Sequence, residues 1–401
     1  MSLLTGIFNT TQNPTELNAR SFSDVILRLF PNGSAPLFAL ASQTGKKKAK
    51  SSTHGYFSKT MTFVSTTSTA GDTDAATTLT VGSTTGMTAN MVLHNLRTRE
   101  SVRIVSVTNS TQVVVSRAFG RVAAAAMNAA DKIIQVGTAF AEGSQRPGAR
   151  QLATVYVANY TQIFRNAWGL TDTARASMSE IGYSNVAESR KDCSLFHSVD
   201  MESAILWGQA KMDTSGSQPV HSTQGVIDAI YEYASGNVNP AASTTTYTQL
   251  VALVEEFFNY STDIGNNNER VGFCDRLAMK VLTDVGRTPG QIQIMQEQTG
   301  FGMKYTSFRF YQGTINLIQH PLMNGLNPTA GNMLVMDLAA LKLAYMEGRD
   351  AVPEEYGVGM KQVELGTDGI GGSLTSEFAV ELINPYACGY VTGLTAGAAD
   401  S

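Results

Sequence analysis

The chain has 401 residues, of which 43% are hydrophobic and 15% are charged, and its formal net charge is −4 at pH 7. This length can supply more than one hydrophobic core, and the weak acidity excludes the strongly basic class of dedicated nucleic-acid-binding proteins. In ordinary soluble domains about 25% of residues are charged. The low charged fraction of this chain indicates that neighbouring subunits cover much of its surface. The alternative is that Ser, Thr and Asn provide the polar surface.

The first 54 residues carry too little apolar surface to form a core of their own. One or two helical turns are predicted at residues 23–30, a second short apolar segment lies at 36–41, and polar residues surround both. We expect this arm either to be disordered or to be ordered against other subunits. The N-terminus has no secretory-signal pattern and no apolar run is long enough to span a membrane. We therefore expect that the protein is made in the cytoplasm and does not associate with a membrane.

A basic cluster follows the arm helices and consists of Lys46, Lys47, Lys48 and Lys50. A run of this kind can contact nucleic acid or the acidic face of a partner. A solvated loop is the alternative, because short lysine runs are common on protein surfaces.

Residues 66–137 have the pattern of a small all-β module. Short β-branched runs alternate there with Gly-, Ser-, Thr- and Asn-rich turns, and the runs lie at 79–81, 91–93, 101–107, 112–116 and 132–136. This spacing predicts a compact barrel or sandwich. We expect residues 56–64 and 138–150 to form the two sides of a long hairpin that carries the module.

The longest predicted helix covers residues 172–211, where apolar side chains keep a loose spacing of three to four residues. A helix of 40 residues would reach about 60 Å, which is longer than a small core needs. We therefore expect a strut.

The remainder predicts an α+β pattern. Helices are expected at 225–233, 247–259 and 275–285; strands are expected at 270–274, 304–310, 314–319, 333–336, 341–346, 360–365 and 377–383. Asp275 and Asp337 are predicted helix caps. The Gly-rich residues 366–372 are predicted to form a flexible connection between the last two strands.

Candidate catalytic and metal groups are sparse. Cys193 and His197 are four residues apart on the predicted strut, which would suit a metal or a nucleophile–base pair, but no third ligand has a fixed spacing. The three cysteines are scattered and form no CxxC pattern. The adjacent acidic pairs at 255–256 and 354–355 point to different faces and suit no acid–base dyad. The sequence therefore predicts no enzyme, no cofactor and no metal site.

The order of arm, long hairpin with a β insert, strut helix and α+β domain resembles the major capsid proteins of tailed bacteriophages, which have the Hong Kong 97-like fold. It is most similar to those members with a β domain in the extended loop. The segments that carry the resemblance are RESVRIVSV at 99–107, SRAFG at 116–120, AEGS at 141–144, NYTQIF at 159–164 and MDLAALKLAY at 336–345.

The resemblance implies a division of the α+β chain into five parts. They are an N-terminal arm at 1–54, an extended loop at 55–152 with the insertion at 66–137, a peripheral domain at 153–236 with the spine helix at 172–211, an axial domain at 237–340, and strands returning to the peripheral domain with a C-terminal tail at 341–401. Arm and loop are expected to lie over neighbouring subunits.

The implied function is that of a virion subunit. Hexamers and pentamers would assemble in the host cytoplasm into an icosahedral shell around double-stranded DNA, which the shell would touch through non-specific contacts. Portal and scaffolding proteins are implied partners, and a decoration protein is an open option. The alternatives are a non-viral nanocompartment shell of the same fold, and a tail or adhesin protein with a receptor-binding β module.

The expected sites are assembly contacts. The candidate residues are Lys46, Lys47, Lys48, Lys50, Glu142, Arg146, Arg150 and Asn159.

Overall fold

The computed structural model of the chain describes residues 36–43, 45–59, 64–148, 151–177, 185–241, 246–261, 268–287, 298–300, 303–326, 331–357 and 368–395. The chain divides into a main unit, made of Met1–Tyr56 and Val157–Ser401, and an inserted unit, Phe57–Tyr156. The predicted helices at 23–30 and the predicted strand at 360–365 lie outside the described residues.

The helices belong to the main unit. In chain order they are α1 Pro36–Gln43, α2 Asp172–Ala176, α3 Asn185–Trp207, α4 Val226–Tyr233, α5 Tyr247–Val254, α6 Arg276–Arg287 and α7 Pro321–Leu326. Short 3₁₀ turns lie at Ser235–Asn237, Glu255–Phe258, Leu338–Ala340 and Pro385–Ala387. Asp275 and Asp337 act as the predicted caps, since their carboxylates accept the backbone N–H groups of Ala278 and Ala339.

The strands are spread over both units. In chain order they are β1 Lys46–Ala49, β2 Thr53–Ser58, β3 Ser65–Thr67, β4 Thr78–Thr80, β5 Met91–Asn95, β6 Ser101–Val107, β7 Gln112–Ser116, β8 Lys132–Thr138, β9 Val155–Tyr160, β10 Gln162–Thr171, β11 Lys211–Asp213, β12 Val220–Ser222, β13 Val238–Pro240, β14 Glu269–Cys274, β15 Gln298–Gly300, β16 Met303–Arg309, β17 Thr314–Gln319, β18 Met333–Met336, β19 Leu341–Met346, β20 Val352–Tyr356, β21 Gly369–Leu382 and β22 Gly389–Thr392.

The inserted unit is a closed β-barrel. Its strands pair in the order β3-β8-β5-β6-β7-β4, and a bridge between Ser68 and Val81 joins the two ends of the sheet. Alternate apolar side chains, such as Val102 and Ile104 of β6, point into a core that belongs to this unit alone. Backbone hydrogen bonds from Thr69 to Thr80 and from Gly82 to Thr67 join the two end strands there, which favours the barrel over the sandwich.

The hairpin that was expected to carry the module has a different second strand. Strand β2 pairs with β9, whose residues begin at Val155, and not with residues 138–150. Within 138–150 the described residues after β8 form turns and irregular chain. Polar and glycine-rich residues in this stretch favour turns over a paired strand.

The first sheet of the main unit has the strand order β1-β19-β21-β10, with β20 also paired to β21. Strand β1 runs parallel to β19, and α1 packs on α3. Leu37, Leu40 and Ala41 are buried in the same core as Phe378 of β21. The arm was expected to be either disordered or ordered against other subunits. That expectation is wrong from residue 36 onward, because these apolar side chains pack in the core of their own subunit beside α3.

The second sheet has the order β13-β22-β18-β14-β17-β16-β15. Helices α5 and α6 cover one face with a second apolar core. The last strand, β22, lies between β13 and β18, so residues 341–401 contribute strands to both sheets of the main unit. Residues 366–372 were expected to form a flexible connection between strands. This is wrong for residues 369–372, which form the start of β21 and pair with β10.

The predicted helix at 172–211 is two helices. Helix α2 ends at Ser177, whose backbone is extended and whose N–H and hydroxyl both donate to the carbonyl of Thr173. Helix α3 ends before Gly208, where a Cβ would lie 2.5 Å from the carbonyl oxygens of Ala204 and Thr223. Only glycine permits this close approach, so the chain turns there and β11 follows.

Candidate assembly surfaces

The lysine cluster forms the edge strand β1 and not the solvated loop that was the alternative. Each lysine of this strand pairs with a carboxylate of the same unit: Lys46 with Asp350, Lys47 with Glu381 at 2.6 Å, and Lys48 with Glu347 at 2.9 Å. Lys50 follows the strand and is exposed. The basic charge of β1 is therefore largely neutralised inside the subunit.

Glu381 is a buried anchor for the strands β1 and β2. Its carboxylate accepts hydrogen bonds from Lys47 Nζ and from His54 Nε2, both at 2.6 Å. Burial alone would raise the pKa of Glu381, but the hydrogen bonds from His54 and Lys47 outweigh it and the pKa lies below its ordinary value. The Tyr56 hydroxyl donates to the carbonyl of Leu382 at 2.8 Å beside it.

Glu202 of α3 is a second buried anchor and holds the N-terminus of α1. Its carboxylate accepts the backbone N–H groups of Leu37 at 2.8 Å and Phe38 at 2.6 Å. It also accepts from His320 Nε2 at 2.7 Å, while His320 Nδ1 accepts the N–H of Leu322. A carboxylate at a helix N-terminus satisfies N–H groups that the helix itself leaves unpaired. Glu202 thus joins α1, α3 and the end of β17.

Asn159 acts inside the main unit. Its side-chain nitrogen contacts the carbonyls of Gln224 and Val380 at 3.1 and 2.7 Å, and its oxygen accepts the N–H of Gln224 at 2.7 Å. The side chain is buried. The remaining candidates fall in the inserted unit, where Glu142 and Arg146 are exposed; Arg150 lies outside the described residues. The structure thus does not bring the predicted site residues together.

Cys193 and His197 form no catalytic pair. The ring of His197 is buried between Asn166, at 2.7 Å from Nδ1, and Ser376, at 2.8 Å from Nε2. Burial lowers the pKa of His197 and raises that of the Cys193 thiol, so both stay neutral near pH 7. Within the described ranges, no group of three His, Cys, Asp or Glu side chains could hold a metal ion.

The inserted unit carries its own buried ion pair between Glu100 and Arg117. The guanidinium donates to both carboxylate oxygens at 2.8 Å, and Glu100 also accepts the N–H groups of Ala118 and Ala125. Arg117 donates in turn to the carbonyl of Thr73. These bonds fix the loops at one end of the barrel.

Large apolar side chains are exposed where the inserted unit begins and ends. Phe57 is 74% exposed, Val155 is 58% exposed and Tyr156 is 49% exposed. The rings of Phe57 and Tyr156 lie 5.0 Å apart and form one exposed aromatic pair, whereas Val155, the preceding residue of β9, points to the opposite face of the strand. Exposed aromatic side chains are enriched in surfaces that bind another protein.

The anchors Glu202 and Glu381 were missed by sequence reasoning. Their partners lie 165 and 334 residues away in the chain, and no motif or period connects residues at such separations.

Among the described helices, none is both long and apolar enough to cross a bilayer.

The chain matches a family model described as SU10 major capsid protein over residues 8–395. It is 48% identical over 405 residues to a protein of Pseudomonas phage PaMx41 that is described as a major capsid protein. That alignment covers 98% of this chain and 97% of the relative.

Solved structures of low sequence identity also resemble the chain. A chain of Microbacterium phage Oxtober96 is 10% identical with a TM-score of 0.48, and the match covers 95% of this chain and 97% of that one. A chain of Mycobacterium phage Bobi is 12% identical with a TM-score of 0.47, covering 94% and 96%. The SrpI encapsulin of Synechococcus elongatus PCC 7942 is 9% identical with a TM-score of 0.43, covering 61% and 78%.

Proposed function

The chain belongs to the SU10 major capsid protein family, and from this membership we propose that its copies close into an icosahedral shell around double-stranded DNA. It is a structural subunit of a phage virion capsid and not an enzyme. The family match over residues 8–395 confirms the predicted resemblance, the Hong Kong 97-like α+β fold class and the structural role. The nanocompartment and adhesin alternatives do not fit a phage capsid relative of this identity.

The observation that best supports self-assembly is the exposed aromatic pair of Phe57 and Tyr156. Burying these side chains against another copy would remove apolar surface from water, at about 25 cal/mol per Å². The low charged fraction of 15% agrees with a surface that is covered in the assembled state. In this proposal the extended loop at 55–152 reaches over a neighbouring subunit.

The proposed assembly keeps the domain roles inferred from the sequence. Residues 153–236 form the peripheral part and 237–340 the axial part of hexamers and pentamers. Assembly takes place in the host cytoplasm with portal and scaffolding proteins, and DNA is held by non-specific contacts. Lys46, Lys47 and Lys48 of β1 already pair with carboxylates of their own subunit. Lys50 is therefore the basic side chain of this segment that is best placed to contact DNA.

Negative-stain electron microscopy of the purified protein tests this proposal. We expect closed particles built from hexamers and pentamers, and particles from infected cells should absorb at 260 nm as DNA does. Trimers, fibres or unassembled subunits under all conditions would contradict the shell, and closed particles from infected cells without nucleic acid would contradict genome enclosure.

A further inference from the structure

A strip of exposed tyrosines and carboxylates lies on the main unit. We call it the tyrosine–carboxylate strip, and it consists of Tyr231, Glu232, Glu256, Tyr260, Tyr311 and Tyr386. It crosses α4 and the turns Pro385–Ala387 and Glu255–Phe258, which pack against one another. Tyr260 is 52% exposed and Tyr311 is 75% exposed. Tyrosine is enriched in protein interfaces because it offers a broad apolar ring and a polar end.

Local contacts join parts of the strip to one another or to their immediate neighbours. The rings of Tyr260 and Tyr386 lie 5.5 Å apart, and Tyr231 packs edge-on against Tyr390 at 6.2 Å. The Tyr311 hydroxyl lies 3.4 Å from a carboxylate oxygen of Glu255. Since Pro385–Ala387 packs on both α4 and Glu255–Phe258, the strip residues on these elements are neighbours, and Tyr311 adjoins them through Glu255.

Four of the six strip residues, Tyr231, Glu232, Glu256 and Tyr260, come from one acidic stretch of the chain. Between Lys211 and Arg270 the sequence has seven Asp or Glu residues and no Lys or Arg. A surface that combines aromatic rings with carboxylates suits one chemistry above others. Arginine stacks on aromatic rings and pairs with carboxylates at the same time.

The inserted unit has the complementary charge. Residues 57–156 contain nine Lys or Arg against five Asp or Glu, whereas the whole chain has 29 against 33. Arg97 and Arg117 are engaged by Asp131 and Glu100. The exposed cations left over are Lys59, Arg99, Arg121, Lys132 and Arg146, none of which forms an ion pair with another residue in the described part of the chain.

We propose that the tyrosine–carboxylate strip of one subunit receives the exposed cations Arg99, Arg121 and Lys132 of the inserted unit of a second copy of the chain. Backbone hydrogen bonds from Leu96 to Lys132 and from Phe119 to Ser101 hold these three residues near one another. This inference rests on the proposed shell, and it adds which surface of the subunit is the acceptor and why. Complementary charge steers the two copies together and fixes their register. Aromatic stacking with arginine adds attraction that does not depend on charge alone.

Charge reversal tests the inference. The variant Glu232→Lys/Glu256→Lys should lower the yield of closed particles about tenfold or more, because it places like charges opposite each other. The matched control is Asp284→Lys, an exposed residue of α6 outside the strip, which should assemble as the unchanged protein does. Because the Glu232 carboxylate accepts a hydrogen bond from the side chain of Gln224, the single variant Glu256→Lys is also made. It should lose particles while its unassembled subunits unfold at the same temperature as those of the unchanged protein and of Asp284→Lys.

A second variant set shows whether the inserted unit is the partner. Arg99→Glu/Arg121→Glu should lose particles on its own, and the chain that carries all four reversals should regain them. Particle yields equal to the control for Glu232→Lys/Glu256→Lys, or no recovery in the fourfold variant, would overturn the inference. If the unchanged protein forms no closed particles, the proposed shell itself fails, so the two failures are distinguishable.

Discussion

The inserted unit and the main unit both bury carboxylates, but they neutralise them over very different distances in the chain. In the inserted unit, Glu100 pairs with Arg117, 17 residues away. In the main unit, Glu202 holds the N–H of Leu37 from 165 residues away, and Glu381 holds Lys47 from 334 residues away. The inserted barrel is therefore complete within its own segment, whereas the main unit depends on the residues that precede the barrel.

Truncation from the N-terminus should show this dependence most strongly. A chain that lacks residues 1–50 loses α1 and β1, with the buried side chains of Leu37, Leu40 and Ala41. We expect its main unit not to fold. The matched truncation of residues 1–35 removes none of these contacts and should leave a folded subunit. Circular dichroism and limited proteolysis compare the two, and a folded main unit after removal of residues 1–50 would contradict the comparison.

Removal of the Glu202 carboxylate should have the next largest effect. Glu202→Ala leaves two N–H groups of α1 and the ring of His320 buried without their acceptor. Breaking a buried charged network in this way costs about 3–5 kcal/mol of unfolding free energy. The control Lys191→Ala removes the exposed member of the pair with Glu188 on the same helix and should cost about 0.5 kcal/mol or less. Urea unfolding of the subunit measures both, and equal costs would contradict the anchor role.

Changing Glu100 should affect only the inserted unit. Glu100→Gln removes the charge that Arg117 binds and should cost about 1.5–3 kcal/mol. Proteolytic cleavage should increase within residues 57–156 while fragments of the main unit stay protected, because the barrel has a separate core. Increased cleavage of α3 or β21 at the same rate would show that the two units do not unfold separately.

Acid should loosen β1 and β2 through Glu381. The pKa of Glu381 lies below its ordinary value of 4.5, so its contribution is fully present above pH 4.5 and is lost as the pH falls through the lowered pKa. Hydrogen exchange of residues 46–56, corrected for the intrinsic rate, should therefore increase on acidification. In Glu381→Gln the same segment should exchange faster at pH 7 and change little with further acidification.

The exposed lysine pairs should contribute least. Lys46→Gln/Lys48→Gln removes ion pairs whose side chains remain largely in contact with solvent, and such pairs contribute about 0.2–1 kcal/mol each. We expect a small change in the unfolding midpoint and a larger one for Lys47→Gln, whose partner Glu381 is buried. A larger change for Lys46→Gln/Lys48→Gln than for Lys47→Gln would mean that the exposed ion pairs stabilise β1 more than the pair with the buried Glu381 does.

Local features were predictable from the sequence with good accuracy. The strands β6 and β7 have the predicted bounds of Ser101–Val107 and Gln112–Ser116, and both caps at Asp275 and Asp337 are present. Alternation, turn residues and caps act over a few positions, so they leave a pattern in the sequence. The family resemblance had the same origin, since short segments such as NYTQIF at 159–164 carried it.

The predictions that failed concern contacts between distant segments. The division of the strut at Ser177 and Gly208 depends on where the chain packs next, since Gly208 lies against the carbonyl of Thr223. The pairing of β2 with β9, in place of residues 138–150, depends on sheet order. A strand's own sequence specifies which face is apolar but not which strand lies beside it.

The sequence by itself determined the barrel strands, the caps, the absence of a catalytic motif and the capsid family. Tertiary structure decided that the N-terminal segment from Pro36 belongs to the core, and that Glu202 and Glu381 hold it there. The physical reason is that a buried carboxylate is stable only with partners that the whole fold brings to it. Those partners lie in segments that share no spacing with it along the chain.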